Sequence, residues 1–288
     1  MKPFEDCVTG IVGLGLMGGA IAMALRRIPE EAGRGGLVLA CDIDGGTIDA
    51  ALKAKLIDEG FTDAGAMLGR CDLLFLCLNP GTLLRFMNKW MTAFKSGALI
   101  TDIAGIKGSI AETMEGTLRE DLDFIPGHPM AGSEKGGFEN AGSCNFTGRN
   151  YILTPLRRNK PEHLEFLRDL IRRMGFGRIV ETTAEEHDRK IAFTSQLCHV
   201  IAAALIDCEA DTAITRFGGG SFEDLTRIAM LNVPMWTELF LENRRELLRR
   251  IEQFEGSLGM LKGLIAGGEE GRLRKTLQAV RQRRSSMT

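Results

Sequence analysis

Short apolar runs alternate with stretches of helical period through the first half of the chain: VTGIVGLG, LVLACD, DLLFLCL, ALITDI, DFIPG and YILT are separated by segments whose apolar residues recur every three or four positions. This alternation predicts β-α-β units. The run from Asp72 to Leu78 is apolar on both faces, as a parallel strand covered by helices on each side must be. The expected fold class is therefore α/β, a doubly wound sheet, followed by a helical part. Seven of the eight prolines lie at or before Pro161, leaving only Pro234 beyond. A capping-box pattern, Thr183-x-x-Glu186, opens a long apolar segment through Ile191, Leu197, Ile201 and Leu205. The boundary is accordingly placed there, with domains 1–183 and 184–288. After Pro234, which suits a first helical turn, Phe240, Leu247, Ile251, Phe254, Leu258 and Leu261 follow in steps of seven, four, three, four and three. Such a narrow seam fits either the chain's own core or a partner helix in a homodimer.

Composition narrows the function classes. At 288 residues, with 44% hydrophobic and 26% charged, the chain has ordinary globular usage and length for two domains. The 36 basic and 38 acidic residues leave a net charge of -2 and no global basic field for nucleic acid, so a small-molecule partner is expected. The basic tail from Arg272 to Arg284 reads as a solvated helix end. Seven cysteines without C-x-x-C spacing read as free, mainly buried thiols in a reducing cytoplasm, with no metal site. Val8 to Leu25 carries no charge, but five glycines interrupt it and Glu5-Asp6 precede it, which argues against a membrane span or export signal.

The glycines of that stretch point to a cofactor. Gly13-Leu14-Gly15-Leu16-Met17-Gly18 follows the first strand and opens a helix, the context that gives a G-x-G-x-x-G match its meaning. Gly13 permits the turn, Gly15 lets backbone approach a pyrophosphate, and Gly18 allows close helix packing, while N–H groups at Leu16 and Met17 receive the negative charge. Asp42 ends the second strand, where a carboxylate accepts from a ribose 2′-hydroxyl; nearby Asp44 would repel a 2′-phosphate. NAD is expected rather than NADP.

His128 follows the short run DFIP within GHPMAGSE, which places it at the carboxyl end of a strand, on the edge where open α/β sheets bind ligands. A neutral imidazole there can take a hydroxyl proton as hydride leaves the same carbon, with Glu134 near enough in sequence to orient it. The alternative is a satisfied structural histidine. Ser195 and His199 lie four apart on one helix face, with His187-Asp188 two turns earlier. Gly218, Gly219 and Gly220 precede Asp224, Thr226 and Arg227, and a guanidinium carried on such a loop suits capture of a carboxylate; a capping and salt-bridge network is the alternative.

GLGLMGG, GHPMAGSEKGG, HDRKIAFTSQLCHVIAAAL and GGGSFEDLTRIA resemble, in order, the motifs of the prephenate and arogenate dehydrogenases of tyrosine biosynthesis, over nearly the whole chain. The resemblance implies a Rossmann domain joined to an all-helical dimerisation domain, and NAD-dependent oxidative decarboxylation of prephenate to 4-hydroxyphenylpyruvate. It implies that His128 is the catalytic histidine, that Arg227 and His199 bind substrate, that Ser133, Glu134 and Gly220 match pocket positions, and that Trp236 lies near the pocket. Three departures stand out. Gly105 replaces a serine near the catalytic histidine, so a hydroxyl contact is absent or is supplied otherwise, as by water; Gln196 and Cys198 replace a histidine and a proline, which puts part of the side-chain recognition in question. The presence of His199 favours prephenate over arogenate. The alternatives are an arogenate or dual-substrate cyclohexadienyl dehydrogenase, a β-hydroxyacid dehydrogenase using Lys107 or Lys190, and an NAD-binding sensor without turnover.

Overall fold

The computed structural model describes residues 1–28, 36–132 and 135–287. Six parallel strands, β1 (Val8–Val12), β2 (Leu37–Cys41), β3 (Glu59–Phe61), β4 (Leu73–Leu76), β5 (Leu99–Asp102) and β6 (Asp123–Ile125), form one sheet in the order β3-β2-β1-β4-β5-β6. The helices that return the chain are α1 (Leu16–Arg27), α2 (Gly45–Lys53), α3 (Gly65–Leu68), α4 (Pro80–Trp90) and α5 (Gly108–Thr117). This is the dinucleotide-binding Rossmann order, in which the direction of winding reverses between β1 and β4.

Two-sided burial explains the continuous apolar runs. Along β2, Val38 and Ala40 join one hydrophobic cluster and Leu39 and Cys41 the other; along β4, Leu73 and Phe75 separate in the same way from Leu74 and Leu76. Successive side chains point to opposite faces, so each strand supplies both layers of core.

The chain then leaves this sheet. β7 (Gly127–Pro129) pairs antiparallel with β8 (Asn150–Leu153), which pairs parallel with β9 (Arg178–Glu181), α6 (Pro161–Arg173) lying between the last two in sequence. His128 thus sits one strand beyond the main sheet, facing Ile152 in register, rather than at the tip of the strand DFIP itself.

Helices follow. Thr183 caps α7 (Ala184–Ile191) by accepting from the Glu186 amide at 3.1 Å, as the capping pattern predicts, while the Glu186 carboxylate turns to Arg189 instead of closing the box. A widened π turn at Ala192–Gln196 leads into α8 (Leu197–Asp207). The stretch Ala184–Asp207 is long and apolar enough by composition to cross a membrane, yet Asp188 in it binds two backbone amides at the start of α5. Next come α9 (Gly220–Thr226) and α10 (Val233–Glu242), the latter with Pro234 in its first turn and the Asn232 side chain as cap.

Residues Met1–Asn243 form one compact unit and Arg244–Thr288 another. The second holds α11 (Arg244–Ala266) and α12 (Glu270–Ser285), joined through Gly268 at φ +61°. The seam from Phe240 to Leu261 is not one helix. Asn243 interrupts it, its side chain buried and donating to the Asp188 carbonyl and the Gln196 Oε1. Within α11, Leu247 is buried while Leu258 is exposed. All seven cysteines are free; four are buried and Cys77 partly so, but Cys198 and Cys208 are exposed.

Candidate active site

The glycine turn has the geometry its spacing implies. Gly13 sits at φ +89°, a conformation that favours glycine, and its amide donates to the Cys41 carbonyl at 2.8 Å. A Cβ on Gly18 would lie 1.9 Å from the Gly13 carbonyl oxygen, so the helix packs on the turn at a distance only glycine permits. A Cβ on Gly15 would meet nothing of the protein within 4 Å. Gly15 caps α1 without a side chain, leaving the amides of Leu16 and Met17 in an uncapped first turn beside that open space. The Asp42 carboxylate closes the other side: Oδ2 accepts from the Leu14 amide at 2.6 Å and Oδ1 from the Asp44 amide at 3.0 Å, with lone pairs left for hydroxyl donors. These residues fit a dinucleotide, the uncapped amides facing a diphosphate and Asp42 a ribose. Asp44 has its own task, capping α2 through the Gly46 amide and Thr47 hydroxyl, which hold its carboxyl below the usual range.

At the same carboxyl edge, a rigid frame carries His128. The buried Asp102 at the end of β5 accepts from the Gly127 amide at 3.1 Å and the Ala104 amide at 2.9 Å, and it pairs with the Lys107 ammonium. Both side chains are fully buried. Burial pushes the Lys107 ammonium down, opposed by the Asp102 charge and hydrogen bond. Lys107 is therefore a strut beneath the site, and Lys190 points away to Glu186, so neither lysine is placed as a base.

His128 and His187 meet ring to ring. His128 Nδ1 lies 2.9 Å from His187 Nε2, with centroids 5.1 Å apart, and His187 Nδ1 lies 2.7 Å from Asp188 Oδ1. Asp188 also accepts from the Lys107 amide at 2.8 Å and the Gly108 amide at 2.7 Å, capping α5 from a different helix. Burial lowers the His128 pKa well below the ordinary histidine value, with further lowering from any charge His187 would carry and from the Lys107 ammonium; burial likewise lowers that of His187, against the Asp188 bond. Both imidazoles are held neutral at physiological pH.

His199 stands on α8 with its ring on Trp236, centroids 3.6 Å apart. Its Nδ1 donates to the Ser195 carbonyl at 3.0 Å, so the four-residue spacing acts through backbone and not through the serine hydroxyl. Burial holds His199 below its ordinary pKa, opposed by the Ser195 bond and aided by the positive field of Arg227. Three residues after Trp236, Leu239 presses on Gly105, whose Cβ position would lie 3.3 Å from Leu239 Cδ2 and 3.9 Å from His128 Cε1. One face of α10 therefore runs from His199 to the neighbourhood of His128.

Leu239 also bears on two of the departures. At Gly105 the Leu239 methyls lie 3.3 and 3.4 Å from the Cβ position, in close packing beside His128. Gln196 is buried and faces inward, donating to the Leu239 carbonyl at 2.9 Å and accepting from Asn243 at 2.7 Å, so it ties the π turn before α8 to α10. Cys198 is exposed, and its thiol faces the backbone carbonyls of Phe193 and Thr194 in the preceding π turn. Arg227 is exposed just beyond α9, close enough for its charge to act on His199, whereas Gly220 opens α9 with no neighbour at its Cβ position. Ser133 and Glu134 lie outside the described residues. The sequence shows His187-Asp188 as a pair but does not name His128 as its partner; within the strongly charged run AEEHDRKI, an acid next to a histidine is the signal it offers.

Comparison with known proteins bears on this arrangement. The family model for the prephenate dehydrogenase nucleotide-binding domain matches residues 21–181, and that for the prephenate dehydrogenase dimerization domain matches residues 183–279. The chain belongs to the prephenate dehydrogenase family. Among solved structures, the prephenate dehydrogenase of Aquifex aeolicus in complex with hydroxyphenyl propionate and NAD+ is 30% identical, with a TM-score of 0.87 and 100% of each chain covered. The Synechocystis arogenate dehydrogenase is 29% identical, with a TM-score of 0.78 over 96% of this chain and 99% of that one. The cyclohexadienyl dehydrogenase of Zymomonas mobilis is 30% identical over 262 residues, 89% of this chain and 87% of the relative. All three carry the dehydrogenase name in one of its substrate versions.

Proposed function

We propose that this chain is an NAD-dependent prephenate dehydrogenase, converting prephenate to 4-hydroxyphenylpyruvate and CO2. The observation that carries the reading is His128, held neutral on a rigid frame at the same sheet edge as the glycine turn, in a chain of this family. NAD, when bound, supplies the hydride acceptor. Gly13, Gly15, Leu16, Met17, Gly18 and Asp42 hold it through backbone amides and one carboxylate, and from β1 to β6 the edge crosses three strand spacings, about 14 Å, enough to separate a diphosphate from a reacting centre.

His128 accepts the proton of the substrate ring hydroxyl as hydride leaves the carbon that bears it. The C–C bond to the ring carboxylate then breaks, CO2 departs, and its bonding electrons complete the aromatic ring while the ring oxygen, now a phenolate, takes the proton back from His128. Arg227 binds a substrate carboxylate, and His199, oriented by Trp236 and Ser195, meets the side chain through Nε2. Gly220, Ser133 and Glu134 complete the reading as pocket positions. Prephenate is preferred over arogenate because a neutral His199 offers nothing to an ammonium group beyond one lone pair, while the Arg227 field disfavours added positive charge.

The division into domains 1–183 and 184–288 belongs to the same reading, supported by the spans of the two family models. So does a homodimer. Its support is the dimerization-domain match together with apolar side chains left open beyond α8, among them Phe217 at 87% and Met230 at 73% exposure. A cytoplasmic location is supported by free cysteines. The testing experiment is His128→Asn: kcat falls by roughly a hundredfold or more while the Kd for NAD is unchanged, because the amide keeps a hydrogen bond and loses the base. A variant that keeps most of its activity refutes the assignment.

A further inference from the structure

The bonding capacities around His128 determine more than its position. Asp188 accepts two backbone N–H groups, from Lys107 and Gly108, so its carboxylate is an acceptor on every side. His187 Nδ1, 2.7 Å from Asp188 Oδ1, must then be the protonated nitrogen of that ring. His187 is neutral and fully buried, so its Nε2 carries a lone pair and can only accept. His128 Nδ1, 2.9 Å away, must donate, and the remaining nitrogen of His128, Nε2, is bare.

We propose that His187 and Asp188 are positioning residues that hold His128 in the tautomer whose Nε2 is free to take the substrate proton, and that brace the imidazolium once it forms. The inference rests on the reading of His128 as the base. Two features make the relay specific. Asp188 is anchored not by its own helix but by the amides that start α5, next to the Asp102–Lys107 strut that also bonds the Gly127 amide. Its backbone carbonyl is in turn held by Asn243 at 2.9 Å, which also bonds Gln196, so α7, α8 and α10 are bound into the same support. A histidine needing only a packing partner would not require this chain of oriented acceptors.

The relay also states what each ring does during turnover. When His128 takes the proton at Nε2, its Nδ1–H becomes a charged donor to His187 Nε2, and the Asp188 carboxylate behind His187 offsets the positive charge through one intervening ring. No proton passes to His187, and Asp188 stays ionised. The charged and titratable groups facing His128 are His187 and Asp188 from α7, Lys107 from the start of α5 and Asp102 from β5; the Lys107 charge disfavours the imidazolium even though Asp102 pairs with it, so the support for that charge falls to the dyad.

Two variants and one spectrum test this. His187→Leu fills the buried space and removes the acceptor; His187→Gln keeps an acceptor oxygen near the place of Nε2. The expected result for His187→Leu is a kcat lower by roughly tenfold to a hundredfold, with KM for prephenate and Kd for NAD unchanged and the acidic limb of the pH profile moved to lower pH, because the imidazolium has lost its support. His187→Gln restores most of the kcat and returns the limb toward its original position. In the unsubstituted protein with isotope-labelled histidine, NMR of the imidazole nitrogens shows His128 protonated at Nδ1, its signals identified by their absence in His128→Asn; with four histidines in the chain the spectrum is simple. His128 protonated at Nε2 instead, or a His187→Leu enzyme with unchanged kcat and pH profile, overturns the proposal. If His128→Asn abolishes turnover in the same set, the base stands and only the relay fails.

Discussion

Gly15 and Gly18 belong to one motif, but the structure assigns their side-chain-free positions to different causes, and alanine separates them. At Gly18 a Cβ would sit 1.9 Å from a backbone oxygen and must retreat by about 1.1 Å to reach the closest distance real Cβ atoms show. That strain falls on the turn and the helix together, and overpacking of this kind costs about 1–3 kcal/mol. Converted at the scale of a protein this size, it is a fall in Tm of roughly 2 to 10 °C. At Gly15 the backbone is extended at φ -64° and a Cβ meets nothing. Alanine is a poorer cap than glycine by about 0.5–1 kcal/mol, but it also removes about 0.4–1 kcal/mol of freedom from the unfolded chain, so the two effects nearly cancel. What the methyl group does occupy is the open space beside the amides of Leu16 and Met17. Losing one charge-assisted bond of about 1.5–3 kcal/mol there weakens NAD binding by roughly tenfold to 150-fold. Calorimetric titration with NAD and thermal unfolding of both variants read the two quantities separately. Gly15→Ala should keep its Tm within about 2 °C and lose affinity; Gly18→Ala should lose both. A Gly15→Ala protein that binds NAD as tightly as the parent, or that unfolds as early as Gly18→Ala, refutes the reasoning.

Arg227→Ala should raise KM for prephenate by roughly tenfold to 150-fold with a smaller effect on kcat, since the guanidinium contributes a charge-assisted bond to a non-reacting carboxylate; an unchanged KM places Arg227 outside the site. Acidification should destabilise the fold through His128 and His187. Both have folded pKa values below 6.5, so above that pH they are neutral in both states and contribute nothing to the pH dependence. Below it the unfolded chain binds protons the folded chain refuses, and stability falls as pH falls, by up to about 1.4 kcal/mol per pH unit for each histidine until its folded pKa is reached. Denaturant titrations between pH 7 and 5 check the slope, and His187→Leu should reduce it; a flat profile would mean that neither ring is held neutral.

Much of the molecule was legible because the physics that builds it is local. Parallel strands buried on both faces must be apolar throughout, which is why runs such as 72–78 stand out, and a diphosphate turn needs glycine at fixed offsets. Thr183 could be read as a cap because capping acts over three residues. The relay was not legible. His128 and His187 are 59 positions apart, and their contact depends on how α7 docks on the loop after β5, which no period records. Gln196 was not legible for a related reason: a polar residue on an apolar stretch signals a partner without naming it, and here the protein supplies the Leu239 carbonyl and Asn243. The seam across residues 240–261 carried its own warning, since its first step is seven, and the skipped positions hold Asn243 and Arg244, where the helix breaks.

The central claim is that this chain moves a hydride from prephenate, and absorbance of reduced nicotinamide measures it directly. Purified protein with NAD is given prephenate in one cuvette and arogenate in another, and kcat/KM is compared. The account predicts reduced cofactor and 4-hydroxyphenylpyruvate from prephenate, at a higher kcat/KM than arogenate supports. Equal or better turnover of arogenate would contradict the substrate preference, and silence on both from protein shown to bind NAD would contradict the reaction itself.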